Sequence, residues 1–367
     1  MTLIAAAGID TYPVVFGDLL ISGPERPGSA ADISLASAVT SVFPPGSDWS
    51  ILGLNQKVVL LGDNCVIAWA GNVVFARRVI AGLRALASQA PLSLPIVEKY
   101  LADLDPAMKD QDSFVGWVRD GELFHQFWYR ADIAEGALFG RVSAGGSAAT
   151  DFVMLASQIS GGSWNAPGQA LAGLELAISS MLSATSLLLR AELSSENNLL
   201  QYFGGGYEIA TIIGDKFAKV GGIAFVFWMA HVTDGEVVLS GPWLFLKQDY
   251  ADDFLLLRVL RMRPGNVSTD PPLIDEDRHV VAPFGSTVDA ARANSIFWPG
   301  MGATFTCHVV LVHSPNDITV FNRIDYSESR TPKSISFSLE DRHISFAVNR
   351  QFADELTQSV RAGSADW

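Results

Sequence analysis

Two short apolar runs lie near the start of the chain, residues 2–7 and 12–16, with Gly8, Ile9 and Asp10 between them. Runs of this length bounded by turn-forming residues read as buried strands joined in a hairpin. A second pair follows at residues 57–61 and 65–70, joined by Gly62, Asp63 and Asn64, a strong hairpin signal. The period then changes. Phe75, Val79, Leu83 and Leu86 share one helical face while Arg77, Arg78 and Arg84 fall on others, which predicts a helix over 75–88. Residues 95–104 predict another.

Residues 114–119 and 122–129 alternate as strands across Asp120 and Gly121. The stretch Val142 to Ser147, containing Gly145 and Gly146, precedes a predicted helix over 148–159. Pro167 starts the next, which runs to about residue 192. Phe203 and Gly204 to Gly206 form a turn before a strand over 207–213. Helices that come in pairs between paired strands predict packed layers rather than alternating βαβ units. Beyond Gly222 the pattern is mostly strand-like: 223–231, 236–239, 255–262, 304–313, 318–324, 334–339 and 344–348, with helices only at 288–295 and 352–360. Residues 23–48 read as a long loop and 264–283 as a connector rich in Pro, Asp and Gly. The expected division is 1–222 and 223–367, the second a β-rich region of unknown role.

Composition narrows the function classes. The chain has 367 residues, 49% of them apolar and only 17% charged, enough to bury a large core. Its net charge of −14 argues against nucleic acid or an anionic membrane as partner, since both need clustered Lys and Arg. The longest apolar stretch, 170–189, contains Glu175 and four serines, so a buried core helix is expected there rather than a membrane span. No basic segment precedes the first apolar run and Asp10 comes early, so the expected location is cytoplasmic. Cys65 and Cys307 lie far apart in no metal-ligand spacing and read as small core residues. The six histidines are scattered. His308 and His313 flank an apolar run without a Cys or acidic partner to complete a metal site, so neither metal nor cofactor is expected. A site built around those two histidines is the weakest of three functional readings.

Candidate chemistry gathers at the other end. Thr2, Asp18, Lys57 and Gly71 occur in order: Thr2 opens the first strand, Asp18 ends the second after Gly17, Lys57 precedes the third, and Gly71 follows the fourth. Removal of Met1, which aminopeptidases perform before small residues such as Thr, would give Thr2 a free α-amine. One residue would then hold both a nucleophile and its own base. Taken singly, Asp18 is also an ordinary turn residue and Lys57 an ordinary strand-edge lysine.

This ordered set resembles the proteasome β-subunit and HslV-like group of N-terminal nucleophile hydrolases. The matching residues are Thr2-Leu-Ile-Ala, Gly17-Asp18, Lys57-Val, and Val66-Ile-Ala-Trp-Ala-Gly71 before a helix. Thr2 and Asp18 are sixteen positions apart, the family's spacing, and the match covers roughly the first 220 residues. Ser143-Ala-Gly-Gly-Ser147 and Phe203-Gly-Gly-Gly-Tyr are similar to two of its glycine turns. The resemblance implies an α+β fold, a four-layer αββα sandwich, here with a strand-rich C-terminal extension. It implies a threonine-type peptidase or amidohydrolase. Thr2 Oγ would attack an amide carbonyl and the Thr2 amine would shuttle the proton. Lys57 would place positive charge beside Thr2, Asp18 would hold Lys57, and the Gly71 N–H would donate to the oxyanion. Ser147 would be the supporting serine, with Gly146 a competing alignment. It further implies a peptide or amide substrate and a homo-oligomer, with an ATPase partner left open. Where the family's late turn carries Asp and then Ser, this chain has Leu200 and Phe203. That departure favours the alternative, a non-catalytic structural or binding protein.

Overall fold

The two opening runs form β1 (Leu3–Ile9) and β2 (Tyr12–Asp18) in the computed structural model, which describes residues 2–24, 49–104, 112–158, 171–194, 204–233, 236–240, 242–262, 274–313, 318–330, 334–340 and 343–364. Ile4 faces Gly17 and Ile9 faces Tyr12, so the hairpin turns on Asp10 and Thr11, later than the glycine suggested. Both turn residues have positive φ, 46° and 70°, the backbone of a two-residue turn whose twist matches that of the strands it joins.

The chain divides into two units. The first comprises residues 1–163, 171–220 and 281–289; the second comprises 164–170, 221–280 and 290–367. In the first unit β1 and β2 are followed by β3 (Leu20–Pro24), β4 (Trp49–Leu54), β5 (Val58–Leu60) and β6 (Cys65–Ala70). Then come α1 (Val73–Ala87), α2 (Leu94–Ala102), β7 (Ser113–Asp120), β8 (Leu123–Tyr129), β9 (Asp132–Gly136) and β10 (Gly140–Gly146). The unit continues with α3 (Ala149–Gln158), α4 (Gly173–Ser194), β11 (Tyr207–Ile213) and β12 (Lys216–Lys219).

A six-stranded sheet runs β12-β11-β2-β1-β10-β9, a four-stranded sheet runs β5-β6-β7-β8, and β3 pairs with β4. The two larger sheets meet through β1, β2, β6 and β7. Ile4, Ala6, Val15, Val58, Val66, Ala68 and Val115 fill the space between them. Alternate residues of β1 point to opposite faces, yet Leu3 to Ala7 are all fully buried. The strand therefore reads as a continuous apolar run. The other face of the six-stranded sheet meets α3 and α4, while α1 and α2 pack on β6 and β8. Helix α1 follows the expected periodicity. Asn72 caps it, its Oδ1 accepting from Val74 N (2.8 Å) and Phe75 N (3.4 Å), and Phe75, Val79, Ile80 and Leu83 bury their face around Trp69 and Phe114.

The second unit contains β13 (Ile223–Thr233), β14 (Glu236–Leu239), β15 (Leu244–Ala251), β16 (Phe254–Met262), β17 (Ile274–Val281), α5 (Ala290–Ser295), β18 (Phe305–His313), β19 (Ile318–Tyr326), β20 (Ile335–Glu340), β21 (His343–Val348) and α6 (Arg350–Ser364). Its seven-stranded sheet runs β17-β16-β15-β13-β18-β19 with β14 also on β13; β20 and β21 form a separate hairpin. β13 and β18 pair in parallel. Phe352, Leu356 and Val360 of α6 join Val226, Trp228 and Val310 in one core.

The expected four-layer αββα sandwich is corrected by this architecture. Twenty-one strands in several largely antiparallel sheets outnumber six helices among the described residues, so the chain is dominated by strand rather than by helical layers. The excess comes from stretches whose composition hides their pairing. β3 and β4 lie at the ends of the expected loop, β9 and β10 lie in glycine-bearing sequence, and β17 lies in the expected connector. β17 carries the run Asp-Glu-Asp-Arg, which fits a strand because it is the sheet's edge. There Glu276 and Asp277 pair with Arg258 and Arg261 of the neighbouring strand β16. The interior of the expected loop, 25–48, and the expected helix start at Pro167 lie outside the described residues.

Candidate functional site

Strand pairing brings three of the proposed residues together. Because Ile4 faces Gly17, the ends of β1 and β2 set Thr2 and Asp18 side by side, and Leu3 N donates to Asp18 Oδ1 at 2.9 Å. Lys57 sits just before β5, crossing beneath this corner. A Cβ on Gly17 would stand 3.3 Å from Lys57 Cβ, so the glycine gives the lysine room to pass. Lys57 Nζ donates to Asp18 Oδ1 (2.6 Å), Thr2 Oγ1 (3.1 Å) and Leu20 O (2.7 Å). An ammonium has three hydrogens, and these acceptors account for all of them.

Asp18 and Lys57 are wholly buried and Thr2 is 2% exposed. Burial holds the Lys57 pKa below its ordinary 10.5, opposed by the neighbouring Asp18 and, further off, by Glu208. Asp18 is itself fixed from the far side. Gly204 N donates to its Oδ2 at 3.0 Å, and Gly204 O accepts from Leu19 N and Leu20 N. The glycine turn at 204–206 has positive φ throughout (135°, 73° and 97°), which lets it wrap the end of β2. Leu200 and Phe203 lie outside the described residues.

Ser147 Oγ accepts from Thr2 N at 3.2 Å. Gly146, at φ 95°, backs directly on Thr2: a Cβ there would fall 1.9 Å from Thr2 O and 3.4 Å from Ala70 Cβ. The Ala70–Gly71 turn therefore adjoins Thr2. Gly71 (φ 106°), Asn72 and Ser147 are exposed, so the buried threonine lies beneath a solvent-facing rim made of these residues. Asp112 Oδ1 accepts from Asn72 N at 2.6 Å and braces that rim.

Sequence reasoning missed two kinds of contributor. Leu20 acts through its carbonyl, which no side-chain pattern reveals. Buried Glu208 and partly exposed Lys219 form a second couple (2.7 Å) whose members lie far from Lys57 in sequence.

The histidines fall elsewhere. His308 is wholly buried, and its Nδ1 accepts from Trp228 Nε1 at 3.1 Å, so the neutral ring carries its proton on Nε2. That nitrogen faces Asp325 Oδ2 at 3.5 Å, longer than a hydrogen bond. Burial lowers the His308 pKa. His313, five positions along the same strand, lies on the opposite face and stacks on His231 with ring centroids 5.4 Å apart. The two flanking histidines cannot converge on one substrate. Cys65 and Cys307 are buried and not joined in a disulfide. Among the described residues no group of three or more His, Cys, Asp or Glu is arranged to hold a metal, and no helix is long and apolar enough to cross a membrane.

No protein-family model matches the chain, and no curated protein matches it.

Proposed function

We propose that this chain is a threonine-type N-terminal nucleophile hydrolase of the proteasome and HslV kind, acting on peptide or other amide bonds in the cytoplasm after cleavage just before Thr2. One observation carries the reading: a buried lysine bound to a carboxylate at 2.6 Å points its ammonium at the Thr2 hydroxyl oxygen, 3.1 Å away.

The chemistry follows from what each group has to spare. Thr2 Oγ accepts from Lys57, so its own hydrogen is directed elsewhere. The freed α-amine, on the same residue, takes that hydrogen as Oγ attacks the carbonyl carbon. The nearby ammonium disfavours a second positive charge and so keeps the amine neutral and basic. It also stabilises negative charge developing on Oγ. The carbonyl oxygen becomes an oxyanion, for which the Gly71 N–H at the exposed rim is the candidate donor, an effect worth about 3 kcal/mol. The protonated amine then hands its proton to the departing nitrogen, leaving an ester on Thr2. Water activated by the same amine hydrolyses the ester. Ser147, already bonded to Thr2 N, orients the amine. A homo-oligomer is the expected assembly.

The near-complete burial of Thr2 favours a second reading, a non-catalytic protein that keeps the couple as a structural element. Intact mass and N-terminal sequencing of the purified chain, with hydrolysis of a panel of fluorogenic peptide amides, separate the two. The hydrolase reading expects Thr2 at the N-terminus and turnover. Met1 retained with no turnover supports the second reading.

A further inference from the structure

A second lysine–carboxylate couple stands behind Lys57, and the reaction above does not use it. Glu208 on β11 is wholly buried and lies opposite Gly17, so its side chain shares the sheet face where the glycine leaves room. Its Oε1 accepts from Val58 N at 2.6 Å and its Oε2 accepts from Lys219 Nζ at 2.7 Å. Lys219 also donates to Gln56 Oε1, and Gln56 Nε2 donates to Val281 O at 2.7 Å.

Gln56, Lys57 and Val58 are consecutive. Both neighbours of Lys57 are therefore tied to one carboxylate, Val58 directly and Gln56 through Lys219. Anchoring the backbone of Val58 and the side chain of Gln56 restrains the line along which the Lys57 side chain runs to Thr2 Oγ1. The same carboxylate also lies close enough for its negative charge to favour the ammonium of Lys57 over the free amine. Lys219, its side chain 13% exposed, neutralises part of that charge.

We propose that Glu208 is a positioning residue for Lys57, holding it in line with Thr2 and in its charged form, and that Lys219 limits how much of the Glu208 charge Lys57 feels. The proposal rests on the reading of Thr2 and Lys57 as the reaction centre, but it makes a claim about Lys57 that needs no substrate.

Glu208→Gln keeps an oxygen for the Val58 N–H and removes the charge. Lys219→Met removes the counter-charge at a partly exposed position. Lysine side-chain NMR titration, with the Lys57 signal assigned by its contacts to Thr2, reads the Lys57 midpoint directly. The midpoint is expected to fall in Glu208→Gln and rise in Lys219→Met, each by about half a pH unit or more. The double variant is expected to lie between them. The high-pH limb of kcat/KM on a peptide amide should move in the same two directions.

A merely structural role would lower activity in both variants without opposite shifts, and midpoints that stay put or move together overturn the proposal. If the midpoints diverge as expected but the wild-type chain hydrolyses nothing, the proposal stands and the hydrolase reading fails. If hydrolysis is present and the midpoints do not diverge, the hydrolase reading stands and the proposal fails.

Discussion

The two units each bury an ionisable cluster, and the contrast between them separates the site proposed to be reactive from one that is structural. In the first unit the Lys57 ammonium is bound to Asp18 and to a main-chain carbonyl, and its remaining hydrogen goes to a hydroxyl beside an exposed rim. In the second, His308 is bound by Trp228, faces Asp325 and packs its ring tilted against Phe352 of α6, with centroids 4.4 Å apart. Arg323 extends that cluster, lying 4.6 Å from the Phe352 ring and bridging to Glu355 of the same helix. One cluster ends in a buried hydroxyl, the proposed nucleophile. The other ends in aromatic faces that dock a helix. Burial and perturbed proton affinity are common to both, so neither property alone identifies chemistry.

The comparison breaks most sharply at Thr2. Thr2→Ala is expected to lower peptide-amide hydrolysis by on the order of 10³-fold or more, and to cost about 1–3 kcal/mol in denaturant unfolding because one hydrogen of the buried Lys57 ammonium loses its acceptor. Survival of turnover in that variant would remove the distinction between the clusters. Lys57→Met should abolish activity and also destabilise the chain by about 3–5 kcal/mol in denaturant unfolding, because it leaves the buried Asp18 carboxylate without its cation. His308→Ala removes the acceptor for Trp228 Nε1 and leaves a void beside Phe352. A cost of about 2–4 kcal/mol is expected, with kcat of the folded fraction unchanged.

How much of this could be read from residues alone differs between fold and site. Thr2, Asp18 and Lys57 are legible because each holds a distinctive residue type at the end of an apolar run, and strand pairing then has little choice about where to put them. β17 was not legible, since four charged residues in succession erase the apolar alternation. Its identity as a strand depends on Arg258 and Arg261 across the edge. β10 was not legible for a different reason. Gly145 and Gly146 look like a turn, but they close against Ser113 and Thr2, where a Cβ would collide at 2.6 Å and 1.9 Å. Glu208 escaped notice because nothing near it in sequence announces a lysine at position 57.

Acidity offers a smaller test of the same contrast. The folded pKa of His308 lies below its ordinary 6.5, so the unfolded chain binds that proton more readily. Its effect is a stability that rises with pH between the folded value and 6.5 and declines as pH falls through that window. Equilibrium unfolding followed from pH 7 to 5 should show this decline, and His308→Phe should flatten it. The Lys57 window lies between its own lowered value and 10.5, and there too stability rises with pH. Activity is expected to do the reverse at that end, falling as Lys57 loses its proton. At the low end it should rise as the freed Thr2 amine, a group ordinarily near pKa 7.7–8.0, becomes neutral. The smallest effect belongs to the rim: Asn72→Ala, which uncaps α1, should cost about 1 kcal/mol in thermal or denaturant unfolding.

The most direct test of Thr2 as the nucleophile is to treat the purified chain with a β-lactone and map the adduct by mass spectrometry. An acyl group carried on an N-terminal Thr2, and absent from Thr2→Ala, is the expected result. A chain that hydrolyses peptide amides while Thr2 stays unmodified, or that carries the acyl group at another residue, would contradict the account.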